Sequence, residues 1–188
     1  MSATRNVFLA LFAVVIGACA GPPTESIHTR SEQPPVVACE DVTEPPEAEV
    51  HAYFHCAGAE LEPPRPVPRG SLAADPKSRV EDAVRGLLQG PSEVEREAGY
   101  ISLFSQQTAT ALYSVEIGED GTAIVDFADL RVVMNNASTS TGSQILLAQL
   151  DATVFQIPEV TAIEYRINGS CDTFWEWLQR ACDVVPRP

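Results

Sequence analysis

Basic side chains are scarce in this chain: 12 Lys and Arg stand against 26 Asp and Glu, a net charge of −14 over 188 residues. Nucleic acids and anionic lipid surfaces are polyanions whose binding is dominated by Lys and Arg contacts, so this balance argues against both as direct partners. It favours solubility and leaves cationic partners open. No Cys-x-x-Cys pair is present to gather zinc ligands, and neither a Gly-x-Ser-x-Gly elbow nor a Ser-x-x-Lys pair is present to activate a hydroxyl nucleophile. Internal repeats are missing as well, so the chain holds one folded domain by length.

What is there begins with a polar start containing Arg5, then the apolar run VFLALFAVVI from Val7 to Ile16, small residues, and Pro22-Pro23. That order is the one a secretory signal shows, and ten apolar residues fall short of the roughly 20 that span a bilayer. Ile16-Gly17-Ala18-Cys19 resembles the bacterial lipobox, which implies cleavage after residue 18 and acylation of Cys19. Two or three acyl chains would hold the protein on a membrane, since one chain binds only marginally. The expected location is therefore extracytoplasmic and membrane-anchored, and loss of Arg5 with residues 1–18 leaves the mature chain near −15.

Acylation of Cys19 leaves Cys39, Cys56, Cys171 and Cys182, an even number that reads as two disulfides in an oxidising compartment. Cys39 with Cys56 and Cys171 with Cys182 is the preferred pairing. The second bond requires the chain to turn back after Leu178, because eleven fully helical residues would hold the two apart by about 16 Å. Without that turn, Cys56 with Cys171 and Cys39 with Cys182 becomes the better arrangement.

Residues 19–49 read as an acidic, Pro-rich tether. Between Ala20 and Glu49 seven acids face a single Arg30, and there is no apolar periodicity to offset chain entropy. Only Val36 to Cys39 looks able to dock on the domain. From residue 50 to 183 the pattern changes. VHAYFHC (50–56) alternates as a strand, and the prolines of 62–70 confine that stretch to an edge or loop. Asp75-Pro76 opens a helix carrying Val80, Ala83, Val84, Leu87 and Leu88, which Gly90-Pro91 stops. Ser92 to Glu95 fits a capping box.

Tyr113, Val115 and Ile117 then alternate into an Asp120-Gly121 turn, with a return strand over 122–127. A polar loop from Asn135 to Ser143 leads to a helix carrying Ile145, Leu146, Leu150, Val154 and Phe155, a strand follows over 160–167, and an aromatic helix is expected from an Asp172 cap to Ala181. The class this order predicts is α+β, a two-layer mixed sheet with helices on one face.

Taken jointly, Tyr53-Phe54, Pro66 to Arg69, AVRGLLQGP (83–91), VEIGEDGTAIVDF (115–127), 146–158 and 160–169 resemble the GerMN domain of sporulation and spore germination lipoproteins. The resemblance implies a fold similar to ring-building motifs of envelope secretion complexes. It also implies a role in protein assembly or envelope binding, in sporulation or germination, with no catalytic residues, no cofactor and envelope proteins as partners.

Four groups of residues are candidates for chemistry or recognition. His51 and His55 lie four apart on a strand, which spreads them over about 14 Å and argues against joint metal ligation. Asp120, Asp126 and Asp129 are the acids a glycan hydrolase would pair, but the hairpin places Asp120 in its turn and Asp126 on the solvent face of the return strand. Asn135, Asn136 and Ser138 form a polar loop ahead of a helix. Trp175 and Trp177 point about 200° apart on the last helix, so either the helix is pinned on two sides, the preferred reading, or one Trp is exposed and would suit a protein or sugar partner. A peptidoglycan or glycan binding module is accordingly the second expectation for function.

Overall fold

The structure is a computed structural model that describes residues 39–41 and 50–188. The signal peptide, Cys19 and the tether apart from 39–41 lie outside the described residues.

Strand β1 (Val50–Cys56) forms where apolar and polar residues alternate, and Val50, Ala52 and Phe54 are fully buried beneath it. It pairs antiparallel with β2 (Arg65–Arg69) on one side and with the two-residue β3 (Tyr100–Ile101) on the other. Pro66 and Pro68 keep β2 at the edge, opposite Tyr53 and His51.

Helix α1 (Pro76–Leu88) starts as its sequence dictates. The Asp75 carboxylate accepts from the Ser78 N–H at 2.9 Å, Pro76 occupies the first turn, and Val80, Ala83, Val84, Leu87 and Leu88 are fully buried. Burial of each Val or Leu among these is worth about 1.5–3 kcal/mol. Gly90 ends the segment at a φ of +71°, where a Cβ would collide with the Phe104 carbonyl. The capping box is formed: the Ser92 hydroxyl accepts from the Glu95 N–H and the Glu95 carboxylate accepts from the Ser92 N–H, opening the short α2 (Glu93–Glu97).

The remaining strands form a second sheet in the order β4 (Leu112–Ile117), β5 (Thr122–Phe127), β6 (Ala162–Ile167), β7 (Val184–Pro186). β5 and β6 are parallel, and α3 (Ser140–Phe155) supplies the crossover that parallel neighbours require. The α+β class holds, with the strands divided between two sheets rather than gathered in one.

Four local expectations are corrected. Tyr113 does not share the inward face of Val115, because a bulge between Leu112 and Ser114 turns it out to 74% exposure. Asp126 is not on a solvent face: β5 is central, and the buried carboxylate accepts from the Gly169 N–H at 2.9 Å. The last helix, α4 (Cys171–Trp177), is capped by Ser170 rather than Asp172 and is shorter than expected. Gln179 takes a φ of +61°, the Gln179 and Arg180 N–H groups bond to Glu176 and Trp175 carbonyls, and the chain turns back. It then adds β7, past the expected domain limit at 183, and Arg187 donates to the carbonyls of Phe155, Val160 and Ile157 at 2.7–2.8 Å.

Helix α3 carries a polar row the apolar pattern hides. Gln149 is fully buried, accepting from the Ser102 hydroxyl and donating to the Ile101 carbonyl; Thr153 accepts from the Tyr53 N–H; and Gln156 both accepts from the His51 N–H and donates to the His51 carbonyl, each at 2.7 Å. These side chains take the place of a neighbouring strand along β1.

Candidate functional site

Both disulfides bracket the folded domain. Cys39 meets Cys56 at a Cα separation of 5.3 Å and Cys171 meets Cys182 at 5.4 Å. The second is possible because of the turn after Leu178, and it folds residues 178–183 over one flank of α3.

A cavity of about 470 Å³ opens there, lined by Leu147 and Asp151 of α3, Trp175 of α4, and Arg180, Asp183 and Val185 of the returning chain. Asp151 is half-buried, and its Oδ1 accepts from the Tyr165 hydroxyl at 2.8 Å. Burial pushes the Asp151 carboxyl up to about 6, against the opposing pull of that hydrogen bond. Tyr165 is fully buried on β6, and burial together with the facing carboxylate raises its hydroxyl well above the usual value. Trp175 is only 3% exposed, and its indole Nε1 is buried without an acceptor among the described residues.

The structure brings the expected loop and the expected helix to the same flank. Asn135 and Asn136 are exposed, and the half-buried Ser138 accepts at its carbonyl from Gln179 Nε2 at 3.0 Å. A second cleft of about 330 Å³ lies at that junction, with Arg180 lining both. The tryptophans are packed on two sides of the helix. Trp175 is buried, edge-on to Phe174 at 5.5 Å, and so offers no exposed ring face to a partner. Trp177 is half-buried, edge-on to Phe174 at 6.2 Å. The core has room for both because Phe174 stands between them and stacks on Phe127 and Tyr165.

The other candidates have structural duties. Asp120 accepts from Thr122, Asp129 pairs with Arg131 at 2.7 Å, and Asp126 holds the Gly169 N–H. His55 is buried with its Nδ1 3.1 Å from the Glu62 carbonyl, and burial lowers its pKa. The His51 backbone is engaged by Gln156. Among the described residues no group of three or more His, Cys, Asp or Glu is placed to hold a metal ion, and no helix is long and apolar enough to cross a membrane.

Sequence reasoning missed Asp151, Tyr165 and Arg180. The available signals were a lone acid inside the apolar stretch LLAQLDATVF and a tyrosine at the inward parity of Ile163 and Ile167.

Fold and site together define a disulfide-stapled α+β domain with clefts along its C-terminal loop. The chain belongs to the Germane family, described as sporulation and spore germination, whose profile matches residues 52–172. Among solved structures it is similar to the tandem GerMN domains of the sporulation protein GerM from Bacillus subtilis, at 19% identity and a TM-score of 0.49, covering 74% of this chain and 44% of that one. The first GerMN domain of the same protein matches at 19% identity and a TM-score of 0.45, covering 64% of this chain and 82% of that one. A Clostridium perfringens chain described as "Putative Lipoprotein" matches at 20% identity and a TM-score of 0.41, covering 62% and 72%. No curated protein matches the sequence significantly.

Proposed function

We propose that this chain is a non-catalytic, lipid-anchored module on which extracytoplasmic envelope proteins assemble, in the context of sporulation or germination. Membership of the Germane family over residues 52–172 is the observation that carries the reading. The two disulfides support export, because such bonds persist in oxidising compartments outside the cytosol. The Ile16 to Cys19 sequence supports the anchor. Structural use of Asp120, Asp126 and Asp129 supports the absence of hydrolytic chemistry.

Cross-linking from the anchored protein in envelope extracts is the direct test, with defined envelope proteins as the expected adducts. Co-sedimentation with purified cell wall in place of protein adducts would favour the glycan-binding reading, and release of muropeptides would overturn the non-catalytic one. Cys19→Ser is expected to move the protein from the membrane to the soluble fraction.

A further inference from the structure

A cavity of about 540 Å³ borders β3, lined by Tyr100, Ile101, Ser102 and Phe104 together with Pro91 and Arg96. The Ala57 N–H donates to the Gly99 carbonyl, so residues 99 and 101 turn their backbone groups to β1 and Tyr100 turns its own away. Neither the N–H nor the carbonyl of Tyr100 has a partner among the described residues. The tether already reaches this place. Cys39 is bonded to Cys56, its Sγ stands 3.6 Å from the Gly99 carbonyl, and the Glu40 N–H donates to the Ala98 carbonyl at 3.0 Å. With 39 beside 99 and 40 beside 98, the tether runs antiparallel to β3. The residues that precede Cys39 therefore head toward Tyr100 and Ser102.

Those residues are Val36-Val37-Ala38, the apolar stretch of an otherwise acidic tether. Arg96 is the only charged residue lining the cavity, in a chain of net charge −14, so the acids flanking this stretch meet no like charge there. Alternation assigns the side chains. Cys39 is buried and Glu40 exposed, so an extended chain places Val37 on the buried side with Cys39, and Val36 on the outer side with Glu40. Val37 lies about 7 Å along the chain from Cys39, within reach of the cavity.

We propose that residues 36–38 of the tether continue the three-stranded sheet past β3, with the Ala38 backbone paired to Tyr100 and the Val37 side chain seated in this cavity. The cavity is then filled in cis and the outer side of β3 is closed to a partner strand. The stretch leading back to Cys19 leaves the domain beside β3.

The test uses the full-length chain in detergent, with amide exchange at Tyr100 and the methyl contacts of Val37 as readouts. Val37→Asp should speed Tyr100 exchange at least about tenfold, whereas Val36→Asp, on the outer side, should change it less than about threefold. In the unsubstituted chain the Val37 methyls should show nuclear Overhauser contacts to the Phe104 ring, a measurement that decides the matter should Val37→Asp fail to fold. Equal Tyr100 exchange in Val37→Asp and the unsubstituted chain, equal acceleration by Val36→Asp, or no contact of Val37 with Phe104 overturns the proposal and leaves the cavity to a separate partner. The docking does not require acylation, so Cys19→Ser should keep Tyr100 protected. Should that variant stay in the membrane fraction, the anchor reading falls and the docking stands.

Discussion

Glu95 and Asp151 are two carboxylates withdrawn from water in opposite halves of the molecule, and their surroundings differ in kind. Glu95, beside the three-stranded sheet, accepts from the Arg69 guanidinium through both oxygens at 2.7 and 3.0 Å and from the Ser92 N–H at 2.7 Å. Burial pushes its carboxyl up, but the Arg69 and Ser92 hydrogen bonds outweigh burial and hold it below the usual range. Asp151, beside the four-stranded sheet, has one tyrosine hydroxyl and is raised to about 6. Each half is also closed by a disulfide, spanning 17 residues in the first and 11 in the second. Loop-closure entropy values the two bonds almost equally, at about 3 kcal/mol. The two surroundings therefore differ in polar satisfaction rather than in cross-linking: the Glu95 carboxylate is paired through both oxygens and the Asp151 carboxylate through one.

The comparison breaks most readily at Phe174. If the C-terminal half is integral to the core, Phe174→Ala empties the junction of Phe127, Tyr165 and Trp175 and costs about 4 kcal/mol in chemical denaturation. A loss below about 1 kcal/mol would make α4 and β7 an appendage. Replacing either cysteine pair by serine should cost about 3 kcal/mol. Only the Cys171/Cys182 variant should also alter the Trp175 indole resonance, and an equal change in the two variants would erase the contrast.

The two acids should respond to pH in opposite directions. The depressed pKa of Glu95 contributes stability that is present above about pH 4.5 and lost as pH falls through its folded value. The raised pKa of Asp151 contributes stability that is full below its usual value and lost as pH rises through about 6. Asp151→Asn should consequently stabilise the protein at pH 8 by about 2 kcal/mol, read from thermal midpoints at pH 5 and pH 8. A destabilised Asp151→Asn at pH 8 would place the acid among structural groups. The smallest effect belongs to Arg69→Met, expected to cost about 1.5 kcal/mol at neutral pH by stranding Glu95, with the loss shrinking toward pH 4.

Much of the fold was legible because its signals are local. Asp75-Pro76, the Ser92 and Glu95 box, the Asp120-Gly121 turn and the alternation of β1 each act within a few residues, and each is in place. The features that escaped depend on distant partners. β3 and β7 contain two and three residues and exist only because β1 and β6 supply ladders for them. The burial of Asp126 follows from β5 being central, and the bulge at Tyr113 from its register against β5, neither of which periodicity can reveal. Gln149, Thr153 and Gln156 read as the polar side of α3 until the strand they serve is known. The cavity is harder still, since Asp151 and Trp175 lie on different helices and the wall facing them forms only when the chain returns after Leu178.

Pro66 and Pro68 face Tyr53 and His51, whose own N–H groups are turned away from β2 toward Thr153 and Gln156. Both prolines accordingly stand at positions where β2 would offer N–H donors to a further strand, and proline has none. On the other flank of β1 the side chains of α3 occupy the donors and acceptor that another strand would seek. Strand addition is thus blocked beside β2 and beside β1 at residues 51 and 53, where β3 does not reach. An ordered array built from this domain would therefore have to use surfaces other than those two edges, which gives assembly a direction before any partner is present.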